Sequence, residues 1–258
     1  MLAALMVPVA TGTDPKPIKT ALTALYRSTG GKRWTRSFNW FVGDDPCGHP
    51  AWYGVTCKKG EFVGLSLMDN NLMGTLPPQI GLLADALTGD LNFANRGCAS
   101  TEGKNVISGS LPTEVGLLTS MMRIKLSCNS ISGALPLQLG HLTALVMIDL
   151  ARNSLQSSIP TQLGRLVNLA KLNLGWNSIT GGIPTELGLM GGLTATLQLN
   201  DNSISGTIPS ELGKLTGLST AFEVENNRLS GTLPAELSGL GRSGSLRKCG
   251  SSIAPRMT

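Results

Sequence analysis

The sequence predicts a curved α/β solenoid, built from stacked repeats, with a parallel β-sheet on its concave face. The pattern LxLxxNxLxGx(I/L)P recurs along most of the 258 residues and is complete at residues 65–77. From Asn105 its asparagine returns at positions 129, 153, 177, 202 and 227, a nearly constant spacing that is typical of a repeat protein. One such unit cannot bury its own apolar face, so successive units must stack on each other.

Each position within a unit has a structural role. Leu172 and Leu174 alternate with the polar Asn173, which predicts a short strand whose leucines point inward. Three residues later, the amide of Asn177 can bond the backbone of its own turn and of the turn in the next coil. We therefore predict a structural ladder with one asparagine for each unit: Asn70, Asn105, Asn129, Asn153, Asn177, Asn202 and Asn227.

The segment that follows each asparagine resembles that of the plant-type leucine-rich repeat family. Residues 131–136 (ISGALP) and 204–209 (ISGTIP) match the family's x(S/T)Gx(I/L)P segment position for position, and the resemblance covers residues 16–240. It implies a right-handed solenoid with a second short sheet, and with 3-10 or short helical segments on the convex face. Such repeats occur in receptor-like protein ectodomains and in polygalacturonase-inhibiting proteins.

Residues 16–61 resemble the helical N-terminal cap of the same family. Apolar residues between Ile18 and Tyr26 fall at helical spacing, and tryptophans and cysteines then follow the family's W, NW, C, WxGVxC pattern. A solenoid needs a cover over its first coil, so we interpret the cap tryptophans as core residues and not as ligand-binding residues. We also expect a disulfide between Cys47 and Cys57, which enclose a short loop.

The chain divides into four predicted segments. The spacing from Asn70 to Asn105 clearly exceeds the period, which indicates an insertion in the second unit. This polar loop is either a recognition element or a neutral insertion. Residues 1–15 are an apolar leader or a disordered segment, for which the remnant of a signal peptide is one candidate origin. The other segments are the cap at 16–61, seven leucine-rich repeats at 62–240 with the insertion near 95–104, and a basic flexible tail at 241–258.

The charge distribution argues against nucleic-acid binding. The net charge of +5 divides into +4 at residues 1–61 (eight basic, four acidic), −3 at 62–240 (nine basic, twelve acidic) and +4 at 241–258 (four basic, none acidic). The repeats are therefore slightly acidic and carry no basic stripe. No run approaches the ~18 apolar residues that cross a bilayer, so we expect no transmembrane segment of the chain's own.

The sequence favours an extracellular, secreted or cell-surface location, with the cytoplasm as the alternative. The pair of cap cysteines favours an oxidising compartment. Cys98, Cys128 and Cys249 leave an odd count that does not, and their state stays open. The absence of an Asn-x-Ser/Thr acceptor also departs from what is usual in the family.

Catalytic chemistry is hard to place on this sequence. It has two histidines, His49 and His141, and no cluster of cysteines and histidines with metal-ligand spacing once Cys47 and Cys57 are paired. The glycines of the repeats recur at fixed positions of the unit, so no phosphate-binding loop is predicted there. We therefore expect no enzyme activity, no cofactor and no bound metal.

Ligand-binding residues are predicted on the concave face, the usual ligand surface of the family. Its side chains change from basic in the middle units to acidic towards the C-terminal end. Trp176 stands out because aromatic residues are enriched among binding hot spots, and because Arg152 occupies the same position in the preceding unit. The alternative is that Trp176 packs against the adjacent coil. The predicted ligand-binding residues are Arg123, Lys125, Asp149, Arg152, Lys171, Asn173, Trp176, Gln198, Asn200, Asp201, Glu223 and Glu225.

The predicted function is non-catalytic recognition, either receptor-like or inhibitor-like. The ligand is expected to be a protein or peptide, or a cell-wall glycan, that binds the concave face and the adjoining loops. Because neither a transmembrane segment nor a kinase is evident, a receptor role requires a co-receptor or another membrane-anchored partner. The alternative is a structural or scaffold repeat protein without a fixed ligand.

Overall fold

The structure, a computed structural model, describes residues 15–99 and 103–243. The predicted leader, apart from Pro15, and most of the predicted tail, with Cys249, therefore lie outside the described residues. The first element is the helix α1, Pro15–Ser28. Proline is well tolerated in a first helical turn, where its missing N–H has no partner in the helix anyway.

Fourteen strands follow α1 within the described residues. Half of them are three residues long, and on the concave face this length matches the short leucine alternation of each unit. The strands are β1 (Val55–Lys58), β2 (Glu61–Ser66), β3 (Met73–Thr75), β4 (Asp90–Asn92), β5 (Val106–Gly109), β6 (Arg123–Lys125), β7 (Ser130–Gly133), β8 (Met147–Asp149), β9 (Ser154–Leu155), β10 (Lys171–Asn173), β11 (Thr196–Gln198), β12 (Ser205–Gly206), β13 (Ala221–Glu223) and β14 (Arg228–Leu229).

The concave sheet has eight strands in the order β1-β2-β4-β6-β8-β10-β11-β13. β1 and β2 form an antiparallel hairpin, and the later neighbours all pair in parallel. The hairpin turn at Lys59 and Gly60 has positive φ angles of 54° and 80°, as a tight turn between antiparallel strands requires. The predicted solenoid with a parallel concave sheet is confirmed.

The second short sheet is present in two pieces, β3-β5-β7-β9 and β12-β14. The fifth coil contributes no strand to either piece, but the main-chain hydrogen bonds continue through it. Ser178 N donates to Leu155 O at 2.8 Å, and Ser203 N donates to Ile179 O at 2.8 Å. The break therefore interrupts the regular geometry and not the stacking of the coils.

The convex face consists of 3-10 segments, as the resemblance implies. Before most of them a proline in extended conformation ends the preceding segment, for example Pro184 with φ −64° and ψ 136°. The last segment reaches Ser243, so residues 241–243 belong to it and not to the predicted tail. The segments are Pro78–Leu83, Thr113–Leu117, Leu137–His141, Thr161–Arg165, Thr185–Leu189, Ser210–Lys214 and Ala235–Ser243.

The asparagine ladder ties each coil to the one before it. Nδ2 of Asn177 donates to Leu174 O of its own coil at 3.0 Å and to Leu150 O of the preceding coil at 3.1 Å. Its Oδ1 accepts from Leu155 N at 3.0 Å. The direction differs from our expectation that the amide reaches the next coil, because the turn that needs partners lies on the preceding side. The same bonds recur at Asn129, Asn153, Asn202 and Asn227.

The first ladder residue joins the repeats to the cap. Asn70 is fully buried, and its side chain exchanges two hydrogen bonds with the backbone of Arg36, at 2.7 and 2.9 Å. The cap core is aromatic, with Trp34 and Trp40 in edge contact at 4.7 Å and both buried. The cap tryptophans are thus placed in the core, where their burial stabilises the cap.

A disulfide and an ion pair complete the cap. Cys47 and Cys57 form a disulfide with their Cα atoms 5.9 Å apart. Lys19 of α1 forms an ion pair with Asp44. The hydrogen bond from the Lys19 ammonium, together with its charge, holds the pKa of the Asp44 carboxyl below its usual value.

Ser157 occupies a position that other coils fill with glycine. Its φ is 68°, close to the 75° of Gly133 and Gly181 at the same phase. A left-handed backbone costs an L-residue about 1–2 kcal/mol, and glycine removes this cost. Glycine also has more freedom in the unfolded chain, which reduces the net stabilisation. We expect Ser157→Gly to raise the free energy of unfolding by about 0.5–1 kcal/mol, measured by chemical denaturation.

The neighbouring Ser158 supplies the control for this substitution. Ser158 does not have a positive φ, so Ser158→Gly adds unfolded-state freedom without relieving strain and is expected to destabilise the protein. A loss of stability in both variants would contradict the strain assigned to Ser157.

Candidate functional site

The concave sheet brings most of the predicted ligand-binding residues into two rows. Strand register places Lys125, Asp149, Asn173, Gln198 and Glu223 side by side on consecutive strands. A second row, one position before the first inward side chain of each strand, contains Arg123 and Lys171. Because neighbouring parallel strands lie about 4.8 Å apart, residues in one row are direct neighbours. Because leucines alternate with outward-facing residues in every coil, the outward-facing residues form these rows even though their identities differ from coil to coil.

A third row runs along the rim, where each chain segment leaves its strand. Its members share a left-handed backbone, with φ between 49° and 60°, and they precede the ladder asparagine. This conformation was not predicted from the sequence. Asparagine and aspartate, which adopt it most readily, occupy half of the row and were the available signal. The rim row consists of Asp69, Cys128, Arg152, Trp176, Asp201 and Asn226.

Arg152 and Trp176 form the most specific contact on the rim. The guanidinium carbon of Arg152 lies 4.1 Å from the centroid of the Trp176 ring. Arg152 is exposed and Trp176 is half-buried, so the pair presents a flat cationic surface to solvent. At an exposed site, the cation–π interaction of such a pair contributes about 0.5–1 kcal/mol to the free energy of unfolding.

Asp90 on β4 neutralises the basic end of the concave face. Its carboxylate forms an ion pair with Arg123 and accepts a hydrogen bond from Lys125 Nζ at 3.0 Å. Asp90 was missing from the predicted site because the insertion that follows β4 hides the phase of the second unit. Arg123 and Lys125 are therefore engaged with a neighbouring carboxylate in the structure.

Asn173 and Asn200 were predicted as exposed ligand-binding residues, and for both the structure is different. Asn173 is 9% exposed and Asn200 is 1% exposed. The reason is Gly175, which leaves space beside it that the two amides fill. Oδ1 of Asn173 accepts a hydrogen bond from Gly175 N at 3.2 Å, and Nδ2 of Asn200 donates to Asp201 at 2.7 Å.

The C-terminal end of the face is acidic and internally hydrogen-bonded. Gln198 donates to Glu223 at 2.7 Å, and Asn226 donates to the Asp201 carboxylate at 2.8 Å. Glu225 follows Asp201 in the main-chain ladder, since Asp201 N donates to Glu225 O at 3.0 Å. The acidic side chains of this end, Asp201, Glu223 and Glu225, thus come after the coil that contains Lys171 and Trp176.

The insertion in the second unit is fastened to the concave rim. A disulfide joins Cys98 to Cys128 of the rim row, with the Cα atoms 5.1 Å apart. Asn95, predicted as part of the loop, is buried, and its Nδ2 bonds Asn105 O at 2.9 Å. Asn105 keeps the ladder role by donating to Leu67 O at 2.8 Å. The loop is therefore closed at its base, and residues 100–102 lie outside the described part.

Neither a metal cluster nor a membrane span is found within residues 15–99 and 103–243. There the structure contains no group of three or more histidine, cysteine, aspartate or glutamate side chains that could hold a metal ion. Likewise, none of the helices in the described part is long and apolar enough to cross a membrane.

Comparisons with known proteins agree with the repeat geometry. The family described as Leucine rich repeat matches residues 119–179, and the one described as Leucine Rich Repeat matches residues 195–215. A curated relative, Protein STRUBBELIG-RECEPTOR FAMILY 2 of Arabidopsis thaliana, is 35% identical over 91 residues. The chain is a plant-type leucine-rich repeat protein. The aligned part is 35% of this chain and 12% of that relative.

Solved receptor structures share the fold of this leucine-rich repeat protein. The crystal structure of PEPR1-AtPEP1 superposes with a TM-score of 0.71 and 28% identity, covering 88% of this chain and 30% of that chain. RGFR1, described as a plant peptide hormone receptor in complex with RGF2, gives a TM-score of 0.59 and 35% identity, covering 69% and 26%. This chain thus spans less than a third of each of these proteins.

Proposed function

We propose that this protein is a non-catalytic recognition module that binds a peptide or protein partner on its concave face. The observation that carries the proposal is the Arg152–Trp176 pair, stacked at 4.1 Å on the rim. Tryptophan and arginine are the residues most enriched among binding hot spots. Since each holds the other in place, little side-chain freedom remains to be lost when a partner binds.

The repeat itself does not require these two side chains. The same rim position holds Asp201 and Asn226 in later coils, with the same left-handed backbone. A tryptophan with positive φ is unusual, because bulky residues adopt that conformation at a cost of about 1–3 kcal/mol. A binding role gives a reason for such a residue that the architecture does not supply.

Two further observations support a peptide partner and a location at the cell surface or outside the cell. RGFR1, which is 35% identical over the aligned region, is described as a peptide hormone receptor, and this favours a peptide over a glycan. The two disulfides, Cys47–Cys57 and Cys98–Cys128, favour an extracellular or cell-surface location, because disulfides persist in oxidising compartments. A membrane-anchored co-receptor is part of this proposal.

The test is affinity capture from an extracellular fraction with wild-type protein beside Trp176→Ala/Arg152→Ala. We expect a protein or peptide that wild type retains and that the double variant loses by at least tenfold, with the melting temperature changed by only a few degrees. Loss of the cation–π contact costs about 1 kcal/mol of stability, and loss of the half-buried Trp176 ring costs about 1 kcal/mol more, so misfolding is not expected to explain the loss of binding.

A matched control changes the same number of side chains on the convex face. Arg165→Ala/Leu189→Ala removes an arginine and a leucine that is 59% exposed. This variant is expected to capture the partner as wild type does. Equal capture by all three proteins would refute the concave site, and retention of only a polysaccharide would replace the peptide with a glycan. Absence of any retained partner would favour the scaffold role.

A further inference from the structure

A groove lies on the outer side of the cap, between α1 and the first convex segment, Pro78–Leu83. Its volume is about 410 Å³, which lies in the usual range for ligand sites. α1 supplies one wall, and Gln79 of the convex segment supplies the other. The groove shares no residue with the concave face. We call it the cap groove, and it is lined by Lys19, Thr20, Thr23, Ala24, Arg27 and Gln79.

The cap groove is open to solvent along the outer face of α1. Thr20, Thr23 and Arg27 are spaced by three and four residues, so they lie on one face of the helix. Leu22 and Leu25 lie on the other face and are fully buried in the cap. Thr20 and Arg27 are exposed and Thr23 is half-buried, so a ligand in solvent can reach all three side chains.

Four side chains of the cap groove present hydrogen-bond donors that the rest of the described chain does not use. Within residues 15–99 and 103–243, no side-chain hydrogen bond or ion pair engages Thr20, Thr23, Arg27 or Gln79. A hydroxyl, a guanidinium and an amide each carry N–H or O–H donors. The groove therefore offers several donors to a ligand that carries acceptors.

The charge around the cap groove favours an anion. α1 contains basic residues and no acidic one, and the convex segment Pro78–Leu83 has no charged residue. The absence of acids extends over residues 15–43, which contain six basic residues: Lys16, Lys19, Arg27, Lys32, Arg33 and Arg36. Such a one-sided charge distribution attracts negatively charged partners.

The Lys19–Asp44 ion pair indicates the kind of anion. Lys19 lines the groove, and the side chain of Asp44, which pairs with it, is 91% exposed. A carboxylate of the chain itself is thus held at the groove and offsets one of its two cations. Arg27 has no such partner in the described part, which leaves the groove with a single uncompensated positive charge. This charge matches a monoanion such as a carboxylate better than a phosphate dianion.

We propose that the cap groove binds a glutamate or aspartate side chain in an acidic segment of a partner protein. Arg27 forms the ion pair with the carboxylate, because a guanidinium can donate two parallel hydrogen bonds to it. Thr23 and Gln79 donate further hydrogen bonds. The inference goes beyond the proposed function, since it gives the chain a second binding surface that does not compete with a ligand on the concave face.

The first experiment uses two synthetic hexapeptides, so it does not require the natural partner. N-acetylated, C-amidated GAEAEG and its neutral counterpart GAQAQG are titrated into ¹⁵N-labelled protein at pH 7 and equal ionic strength. We expect saturable shifts of the Arg27 Nε–H and Gln79 side-chain amide signals with the acidic peptide and none with the neutral peptide. Absence of saturable shifts with the acidic peptide would overturn the proposal.

Inorganic phosphate, titrated in the same way, tests the class of anion. We expect it to bind more weakly than the acidic peptide, because the groove has only one uncompensated cation and phosphate offers no neighbouring chain to contact the walls. Shifts of the Arg27 signal that saturate with phosphate and not with the peptide would refute the acidic protein segment as the ligand.

Two variants that remove one positive charge each separate the groove from the general basicity of the cap. Arg27→Gln is expected to weaken binding of the acidic peptide about tenfold, because it removes a charge-assisted hydrogen bond. Lys32→Gln is the matched control: Lys32 is exposed and does not line the groove, so this variant is expected to bind as wild type does. An equal loss in both variants would reduce the site to diffuse attraction by the cap.

Two further variants test the neutral donor and the internal carboxylate. Thr23→Val removes a hydroxyl at nearly constant volume and is expected to weaken binding about threefold. Asp44→Asn releases Lys19 and is expected to strengthen binding about threefold, because a second cation becomes available. Unchanged affinity in Asp44→Asn would show that Lys19 does not act on the ligand and would refute the charge argument for a monoanion.

The concave double variant distinguishes this proposal from the proposed function. Trp176→Ala/Arg152→Ala is expected to bind the acidic peptide as wild type does, because both substitutions lie outside the cap groove. Loss of the peptide in this variant would place the peptide on the concave face and overturn the cap groove as its site. Retention of the peptide by a protein that captures no concave partner would leave the cap groove intact while the proposed function fails.

Discussion

Replacing Gly188 with alanine is expected to lower the free energy of unfolding by about 3 kcal/mol. A Cβ atom at Gly188 would lie 2.3 Å from the backbone oxygen of Glu211 in the next coil and 2.7 Å from its carbonyl carbon. Because these are main-chain atoms, no rotation of a side chain can relieve the overlap. The two coils must separate instead, and the leucines between them lose contact. Denaturant unfolding followed by circular dichroism measures the loss.

The same close approach recurs along the convex face, so the effect is expected to be general. Cβ atoms at Gly140 and Gly164 would lie 2.4 Å from backbone oxygens of the following coil. In a solenoid each coil contacts only its neighbours, so hydrogen exchange is expected to quicken first in the coils on either side of the substitution.

Gly191 provides the control in the same coil. It has no positive φ, and a Cβ atom there would meet nothing within 4 Å. Gly191→Ala is expected to leave stability unchanged or to raise it by about 0.4–1 kcal/mol, because alanine reduces the freedom of the unfolded chain. If Gly188→Ala were no more destabilising than Gly191→Ala, the spacing of the coils would not depend on the glycines at the Gly140, Gly164 and Gly188 positions.

The parts of this fold that sequence predicts are those that local phase determines. Leu172 and Leu174 are inward because a strand alternates its side chains, whichever residue lies on the neighbouring strand. Asn177 is predictable for a similar reason, since the turn after every strand leaves backbone groups that need partners. The direction of its bonds was predicted wrongly, because phase within one unit does not say on which side the unpaired turn lies.

The details of the candidate site depend instead on contacts between units. Whether Asn200 is exposed depends on Gly175, which belongs to the preceding coil and is adjacent only in the folded solenoid. Asp90 could not be paired with Arg123 because the insertion disturbs the period between them. The Cys98–Cys128 disulfide belongs to the same class, since the fold brings two distant segments to a Cα separation of 5.1 Å.

The backbone conformation of the rim row, though not the position of its residues, was missed for a different reason. Its left-handed backbone is required by the turn into the ladder asparagine, so the fold imposes it on residues with no preference for it, Arg152 and Trp176 among them. Asp201 and Asn226 do favour that conformation. A period-by-period comparison of this single column would therefore have indicated the turn, although not the stacking of the two side chains.

Replacing Asn177 with alanine is expected to cost about 3 kcal/mol of stability, nearly as much as the glycine substitution. The loss is uneven among its partners. Leu150 O and Leu174 O each keep a second ladder donor, Asn153 and Asn202 respectively. Leu155 N loses its acceptor, and an unpaired N–H beside a buried turn carries the larger part of the cost.

Asn168→Ala is the matched control for the ladder, measured by the same denaturant unfolding. Asn168 makes a single exposed hydrogen bond, from Nδ2 to Thr143 O at 2.8 Å, so its loss is expected to cost no more than about 1 kcal/mol. Because Asn177 follows Trp176 directly, its substitution should also disturb the rim and quicken the exchange of the Leu155 amide. Equal stability of the two asparagine variants would show that the turns find other partners and that the ladder is not what joins the coils.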